Sequence, residues 1–489
     1  MVTYISRRHS DEISGVWEQM TWDEKMKNND RNSIGRFDPA LVTSLLEKEM
    51  EKYQCDRPRG RKLATEATRN FLWGVPMYSM KYTPGGIPMF IAEASGSRVV
   101  DVDGHEYVDV GLGDTAAFSG HAPPPVVEGL NEKIKQGFTT MALSEDAVWV
   151  GQELERRFGM NYWQFGVSAT DANRCAIRLA QAVTKRPKVL IINRDYYGTI
   201  DETLAVLDDD GKVIADPCVV GVSPYPKELT TRVVEYNDLE ALERELAHKD
   251  VAVMMMEGAF TNYGIIPAEP GYRKGVRELT RKYGTLLLID ETQSICAGPG
   301  GVTMREDLDP DIFTMGKPIA AGLGCGIYGF NNDLGQRVMD AVAEDTKGER
   351  YVSGFQGTLA GNPLVMAAIR LNLAHVLTEE NFERMIAICS KCHEITLETI
   401  QRHGLPWHAT QLGAASELAF LPEPPRNGTE AIPAFDRNLE DYLRLSLMND
   451  GIMTSPMHMI RTLISPYTPE DFPDRWRIAF NRAIDRLVP

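Results

Sequence analysis

Between residues 251 and 290 a buried strand, a helix face and a second buried strand follow one another. Val251 to Met256 is an unbroken apolar run. Val276, Leu279, Thr280 and Tyr283 then recur at the i, i+3, i+4, i+7 spacing of one helix face. Gly284 stands just past that face, where a helix C-terminus favours glycine, and Leu286 to Ile289 begins two residues later. Such a unit predicts parallel strands joined by a right-handed crossover. Lys188 to Ile192 reads as another buried strand, preceded by a helix from about Asp171 to Val183. The fold class expected is therefore α/β, with a mostly parallel sheet in a large domain.

The length of 489 residues exceeds one ordinary core and calls for two or more domains. Residues 1–70 are charged and helix-prone, with Leu41-Val42-Thr43-Ser44-Leu45-Leu46 as their apolar patch, and read as an N-terminal helical arm. Residues 71–114 read as the first part of a small domain. Ile87 to Ile91 is a short apolar run, and Asp103-Gly104 between two β-prone runs is a hairpin signal. Residues 115–364 would form the large domain, and 365–489 the rest of a smaller α+β domain. That last part contains one long helical stretch from Val365 to about His403, a surface loop from Pro422 to Pro433 and a final helix near Asp474 to Arg486.

The net charge of −17 argues against nucleic acid and anionic membranes as partners. No apolar stretch approaches the roughly 20 residues that cross a bilayer. Met1 to His9 is not followed by the apolar core of a signal peptide. The seven cysteines are scattered and odd in number, which fits reduced thiols and a cytoplasmic protein. Cys389-Ser390-Lys391-Cys392-His393 matches a haem-attachment spacing, but it lies in a helical stretch and reads as packed or free thiols. Gly322 to Gly329 looks like a dinucleotide loop yet does not open a helix after a first strand. No metal site is expected.

The chemistry starts at Asp290. A carboxylate at the C-terminal end of a buried parallel strand lies where α/β sheets bind ligands. It would hold a protonated ring nitrogen there, or else cap a helix or pair with a surface base. Lys317 follows, alone among Gly316, Gly322, Gly324 and Gly326. By itself it reads as a solvated loop lysine, but the glycines point to tight turns or a close backbone approach. A lysine forms a Schiff base with an aldehyde, and an acid holds a pyridinium. Together these two residues point to pyridoxal 5'-phosphate (PLP). Ser168, Ala169 and Thr170 open the helix before Lys188 and would offer a phosphate its N-terminal N–H groups, or an ordinary cap. Tyr196 would stack on a planar cofactor or pack under a loop. Gly354 to Pro363 would contact a ligand or a second subunit, or simply turn into a helix.

In order and spacing these segments resemble the class III aminotransferases of PLP fold type I, the aspartate-aminotransferase-like fold. The resemblance is especially to the branch containing glutamate-1-semialdehyde aminomutase and the β-amino acid aminotransferases. The resemblance runs from about Gly85 to the C-terminus. It includes Asp103-Gly104, Gly120-His121, Ser168 to Asn173, Tyr196-Tyr197-Gly198, Asp290 to Gln293, Gly316-Lys317 and Gly357-Thr358. It implies that Lys317 carries the cofactor and moves the substrate proton, and that Asp290 binds the pyridine nitrogen. Gln293 would lie near the ring hydroxyl, Ala169 and Thr170 would hold the phosphate, and Tyr196 would stack on the ring. Thr358 would reach the phosphate of the other subunit, which makes the expected partner a second copy in a homodimer with shared sites.

Some positions depart from the family pattern. Ala169 replaces a usual glycine, Asp171 a glutamate, and Tyr196-Tyr197-Gly198 an aromatic-His-Gly. The branch also places a carboxylate-binding arginine shortly before the Gly-Gly that matches Gly85-Gly86, and Gly74 to Pro84 contains none. Either the substrate lacks a carboxylate near its amine, or Lys81 or Arg461 serves instead. Tyr78 and the neighbouring apolar residues favour a hydrophobic or aryl amine. The activity implied is transfer of an amino group from a small-molecule amine or β-amino acid to a keto acid or aldehyde acceptor through the Lys317 Schiff base. An aminomutase or epimerase using the same cofactor is the alternative. A catalytically silent PLP-fold binding protein is a further one, against which Lys317 and Asp290 weigh.

Overall fold

The computed structural model describes residues 37–222, 225–349, 353–355 and 357–488. The expected arm therefore falls mostly outside the described residues, except for the helices Pro39–Cys55 and Pro58–Ala67.

The centre is a seven-stranded sheet. Its strands in chain order are β1 (Tyr162–Gly166), β2 (Lys188–Ile192), β3 (Thr231–Val234), β4 (Val251–Glu257), β5 (Leu286–Asp290), β6 (Ile312–Met315) and β7 (Gly326–Phe330). In space they run β1-β7-β6-β5-β4-β2-β3. β7 is antiparallel to both neighbours; the other adjoining strands pair in parallel. Every residue of β4, β5 and β6 is buried, which explains their unbroken apolar runs. Two helices position the site. α1 (Ala169–Thr184) packs Ala172, Ala176, Leu179 and Ala180 inward. α2 (Tyr272–Tyr283) ends at Gly284 with φ +65°, the left-handed cap that its glycine anticipates.

A second body is built from both ends of the described chain. Strands Ile91–Ser95, Arg98–Asp101 and Glu106–Asp109 form a meander, and Ile452–Met453 adds to it in parallel. A separate sheet joins His408–Leu412, Ala415–Ala419 and Ile460–Leu463.

The expected single helix from Val365 to His403 is two, Pro363–His375 and Glu379–His403. The break has two physical causes. Thr378 caps the second helix by accepting from the Asn381 N–H. The buried Arg157, reaching in from another helix, donates to the Leu373 and Leu377 carbonyls, which relieves them of intrahelical partners. The Pro422–Pro433 loop contains a short helix, Gly428–Ala431. No disulfide joins any of the seven cysteines, and Cys389 and Cys392 are buried in the helix. Among the described residues no helix is long and apolar enough to cross a membrane, and no His/Cys/Asp/Glu group is arranged to hold a metal ion.

Candidate active site

Asp290 is the last residue of β5 and is fully buried. Its Oδ2 accepts from Asn173 Nδ2 at 2.7 Å and its Oδ1 from the Thr292 N–H at 2.9 Å. Burial raises the Asp290 carboxyl above the usual range, and these hydrogen bonds and the Lys317 charge oppose the rise. Two more buried acids act on one another and on Asp290. Burial pushes Asp195 up to about 6, and Glu257, paired beside Asp290 on β4, is raised well above its ordinary value. A buried region this rich in carboxylates stabilises a cation placed at Asp290.

Lys317 follows the end of β6 with φ +39°, in the left-handed region. Its turn is wedged into place. The Gly316 N–H donates to Thr292 Oγ1 at 3.0 Å, and a Cβ on Gly316 would lie 2.7 Å from the Ala169 Cβ. The lysine turn, the Asp290 segment and the α1 N-terminus are thereby locked together. Lys317 Nζ donates to Asp114 Oδ2 at 2.7 Å.

The α1 N-terminus forms a cradle. Ser168 is its N-cap and accepts from the Asp171 N–H. The Ala169 and Thr170 N–H groups belong to the first turn, which has no intrahelical acceptors, and the positive end of the helix faces the same way. Neighbouring backbone comes very close: a Cβ on Gly326 would stand 2.0 Å from the Ser168 carbonyl oxygen, and one on Gly198 2.3 Å from Thr170 Oγ1. The acidic Asp171 sits in this turn and has Arg174 3.8 Å away.

Gln293 is buried and ties the parts together. It accepts from Thr115 Oγ1 at 2.6 Å and donates to both Asp114 oxygens at 3.2 Å. Tyr196 lies just past β2 with its ring exposed. Arg461, expected as a base for a substrate carboxylate, is not free. Its Nε and Nη2 both donate to Glu417 Oε2, at 2.9 and 2.7 Å, and both side chains are almost wholly buried. Tyr78 and Lys81 lie on an exposed turn, with Lys81 Nζ over the Tyr78 ring. Thr358 is exposed on the turn before Pro363. The structure thus gathers Lys317, Asp290, Gln293, Arg461 and the α1 N-terminus, and leaves Tyr78, Lys81 and Thr358 at the surface.

Sequence reasoning missed Asp114 and His458, and gave Asn173, inside the Ser168 to Asn173 segment, no role of its own. Asp114 Oδ1 is 2.6 Å from His458 Nε2. Although burial pushes its carboxyl up, the neighbouring Lys317 and His458 hold Asp114 well below the usual carboxylate range. Leu112, Gly113, Asp114 and Thr115 all have positive φ. Non-glycine residues rarely adopt this conformation, and runs of it mark functional loops. The one available sequence signal was Gly111-Leu112-Gly113-Asp114-Thr115 directly after a strand.

A lysine ammonium, a buried carboxylate at a sheet's carboxyl edge and a helix N-terminus around one space fit PLP: aldehyde, ring nitrogen and phosphate each meet a suitable group. The fold is that of a PLP fold type I enzyme. The aminotransferase class-III family matches residues 80–463, and the chain belongs to that family. It is 30% identical over 423 residues to glutamate-1-semialdehyde 2,1-aminomutase 2 of Brevibacillus brevis, covering 85% of this chain and 96% of that one. The crystal structure of a glutamate-1-semialdehyde-aminomutase from Pseudomonas aeruginosa PAO1 superposes with a TM-score of 0.89 at 37% identity, over 92% of this chain and all of that one. A variant of that enzyme has been solved in complex with PMP. An omega-transaminase from Sphaerobacter thermophilus gives a TM-score of 0.79 at 25% identity, over 88% of this chain and 98% of that one. Pyridoxal phosphate is the cofactor of this site.

Proposed function

We propose that the chain moves a primary amino group between carbons of one molecule, as an aminomutase. One observation carries the reading: Lys317 and the buried Asp290 approach one space from the ends of adjoining strands, beside a helix N-terminus suited to a phosphate. The similarity to enzymes named aminomutases supports the intramolecular course. When bound, PLP supplies an aldehyde that links covalently to amines and a ring that withdraws electrons.

The chain's own groups do the rest. Asp290, fixed in place by Asn173 and Thr292, would keep the ring nitrogen protonated. The Ala169 and Thr170 N–H groups and the Ser168 turn would hold the phosphate. Gln293 would serve the ring hydroxyl, and Tyr196 would pack on the ring. Lys317 Nζ would hold the cofactor and would carry the proton from the amino-bearing carbon to the neighbouring one. We assign Thr358, Tyr78 and Lys81 to a surface that a second copy covers, Thr358 towards that copy's phosphate and the other two towards substrate. The seven cysteines, joined by no disulfide, fit a cytoplasmic setting.

The test is an absorbance spectrum of purified protein with PLP, followed by a vicinal amino-aldehyde or amino-ketone as sole substrate. Steady turnover with no second substrate is expected, and Lys317→Ala abolishes it. The second reading is transamination, favoured by the likeness to the omega-transaminase. It predicts that an amine donor bleaches the yellow band once and then stops until a keto acid or aldehyde is added.

A further inference from the structure

Asp114 is the least explained charge in the site. Its Oδ2 accepts from Lys317 Nζ at 2.7 Å, and its Oδ1 faces His458 Nε2 at 2.6 Å. Gln293 Nε2 donates to both oxygens from 3.2 Å. His458 is buried, and burial together with the Arg461 charge lowers its imidazole below the ordinary value. Its protonation is thus disfavoured, and its Nε2 gives Asp114 a hydrogen bond. Arg461 is ion-paired with Glu417 and feels the Asp114 charge, but its Nη1 reaches His458 and Gln293 rather than Asp114. Tyr196 is the remaining titratable group that feels Asp114, and it is neutral. Among the described residues, Lys317 is thus the one cation in hydrogen-bond contact with Asp114.

The loop that presents this carboxylate is built for one position. Four successive residues, Leu112 to Thr115, hold left-handed φ between 45° and 75°. Thr115 is pinned to Gln293, and Asp109 Oδ1 accepts from the Gly111 and Leu112 N–H groups. Such strain persists only where the surroundings over-determine it. The fixed group is an anion, at the very point where the cofactor-anchoring amine rests.

We propose that Asp114 is a specificity-determining residue that binds the ammonium group of the substrate beside Lys317. The substrates are then primary amines whose amino-bearing carbon carries no carboxylate. A carboxylate on that carbon would meet Asp114 as a like charge, and the nearby arginine is already paired. The inference rests on the proposed amino-group transfer at Lys317, whichever course the transfer takes, and names its substrate class.

The experiment compares two compounds that differ only by a carboxylate, 2-phenylethylamine and phenylalanine. First, the absorbance of wild-type holoenzyme checks PLP attachment. Absence of the band overturns the functional reading and leaves the Asp114 inference to the calorimetry below. With the band present, the rate of its bleaching is expected to favour 2-phenylethylamine at least tenfold. Asp114→Asn is expected to shrink that preference at least tenfold. Calorimetry supplies a readout independent of activity. Apoprotein Lys317→Ala is expected to bind 2-phenylethylammonium, and Lys317→Ala/Asp114→Asn to bind it at least tenfold more weakly. If neither compound bleaches the band, the calorimetry decides. A wild-type preference for phenylalanine, an unchanged preference in Asp114→Asn, or equal affinity in the two apoproteins overturns the proposal. If circular dichroism shows Asp114→Asn unfolded, Asp114→Glu keeps the charge and is expected to keep the preference for the amine; its loss overturns the proposal too.

Discussion

Glu417→Gln tests whether Arg461 is locked. The pair is almost solvent-free: the side chains are 4% and 1% exposed, and two N–H groups of Arg461 converge on one Glu417 oxygen at 2.9 and 2.7 Å. Neutralising Glu417 leaves a buried guanidinium with Thr261 O and Gln293 Oε1 as neutral acceptors, at 3.0 and 3.4 Å. Breaking a buried pair from one side costs about 3–5 kcal/mol. The unfolding entropy of about 2 cal/mol/K per residue gives roughly 1 kcal/mol/K for a chain of this length unfolding as one unit. The expected fall in Tm is therefore about 3–5 °C, read by calorimetry at pH 7 on the apoprotein. Replacing both partners, Glu417→Leu with Arg461→Met, is expected to recover most of the loss, because no uncompensated charge remains. A single variant within 1 °C of wild type would refute the reasoning, and would return Arg461 to the set of groups able to meet a substrate carboxylate.

Three further outcomes follow from the geometry. Asp290→Asn removes the charge facing the ring nitrogen, and PLP retention on dialysis is expected to drop at least tenfold while the far-ultraviolet spectrum is unchanged. Gly198→Ala places a Cβ 2.3 Å from Thr170 Oγ1 at φ +98°, so it is expected to lower stability by more than about 1 kcal/mol in denaturant titration and to weaken PLP binding. Asp195 has a folded pKa of about 6 against an ordinary 3.8, so the folded state binds the proton more tightly and its contribution to stability falls as pH rises from about 4 through about 6. The Tm of Asp195→Asn relative to wild type is accordingly expected to be higher at pH 7 than at pH 4, and a difference independent of pH counts against the assignment.

Much of the sheet was legible because its signals are local. β4, β5 and α2 show their periodicities within 40 residues, and Asp290 and Lys317 stand at the ends of such runs. The polar floor was hidden because its members are distant in the chain: Asp114 lies 203 residues from Lys317 and 344 from His458. Nothing in the sequence separates Glu417 from an ordinary strand residue, so the neutralisation of Arg461 could not be foreseen. The break after His375 was equally invisible, since the guanidinium that takes its carbonyls comes from Arg157. Local patterning reports which face is buried. It does not report which charges meet there.

The ladder between β5 and β6 has a wider consequence. Asp290 is paired with Thr314, and Lys317 comes three residues later, so the spacing of the two reacting groups is set by hydrogen bonds between buried strands. A slip of one residue would turn Asp290 to the opposite face, which makes intermediate spacings inaccessible. The rim is under no such constraint: the turns carrying Tyr78 and Thr358 can change length or side chain while the strands stay in register. Evolution, or an engineer, can therefore exchange the substrate at the rim without retuning the reaction beneath it.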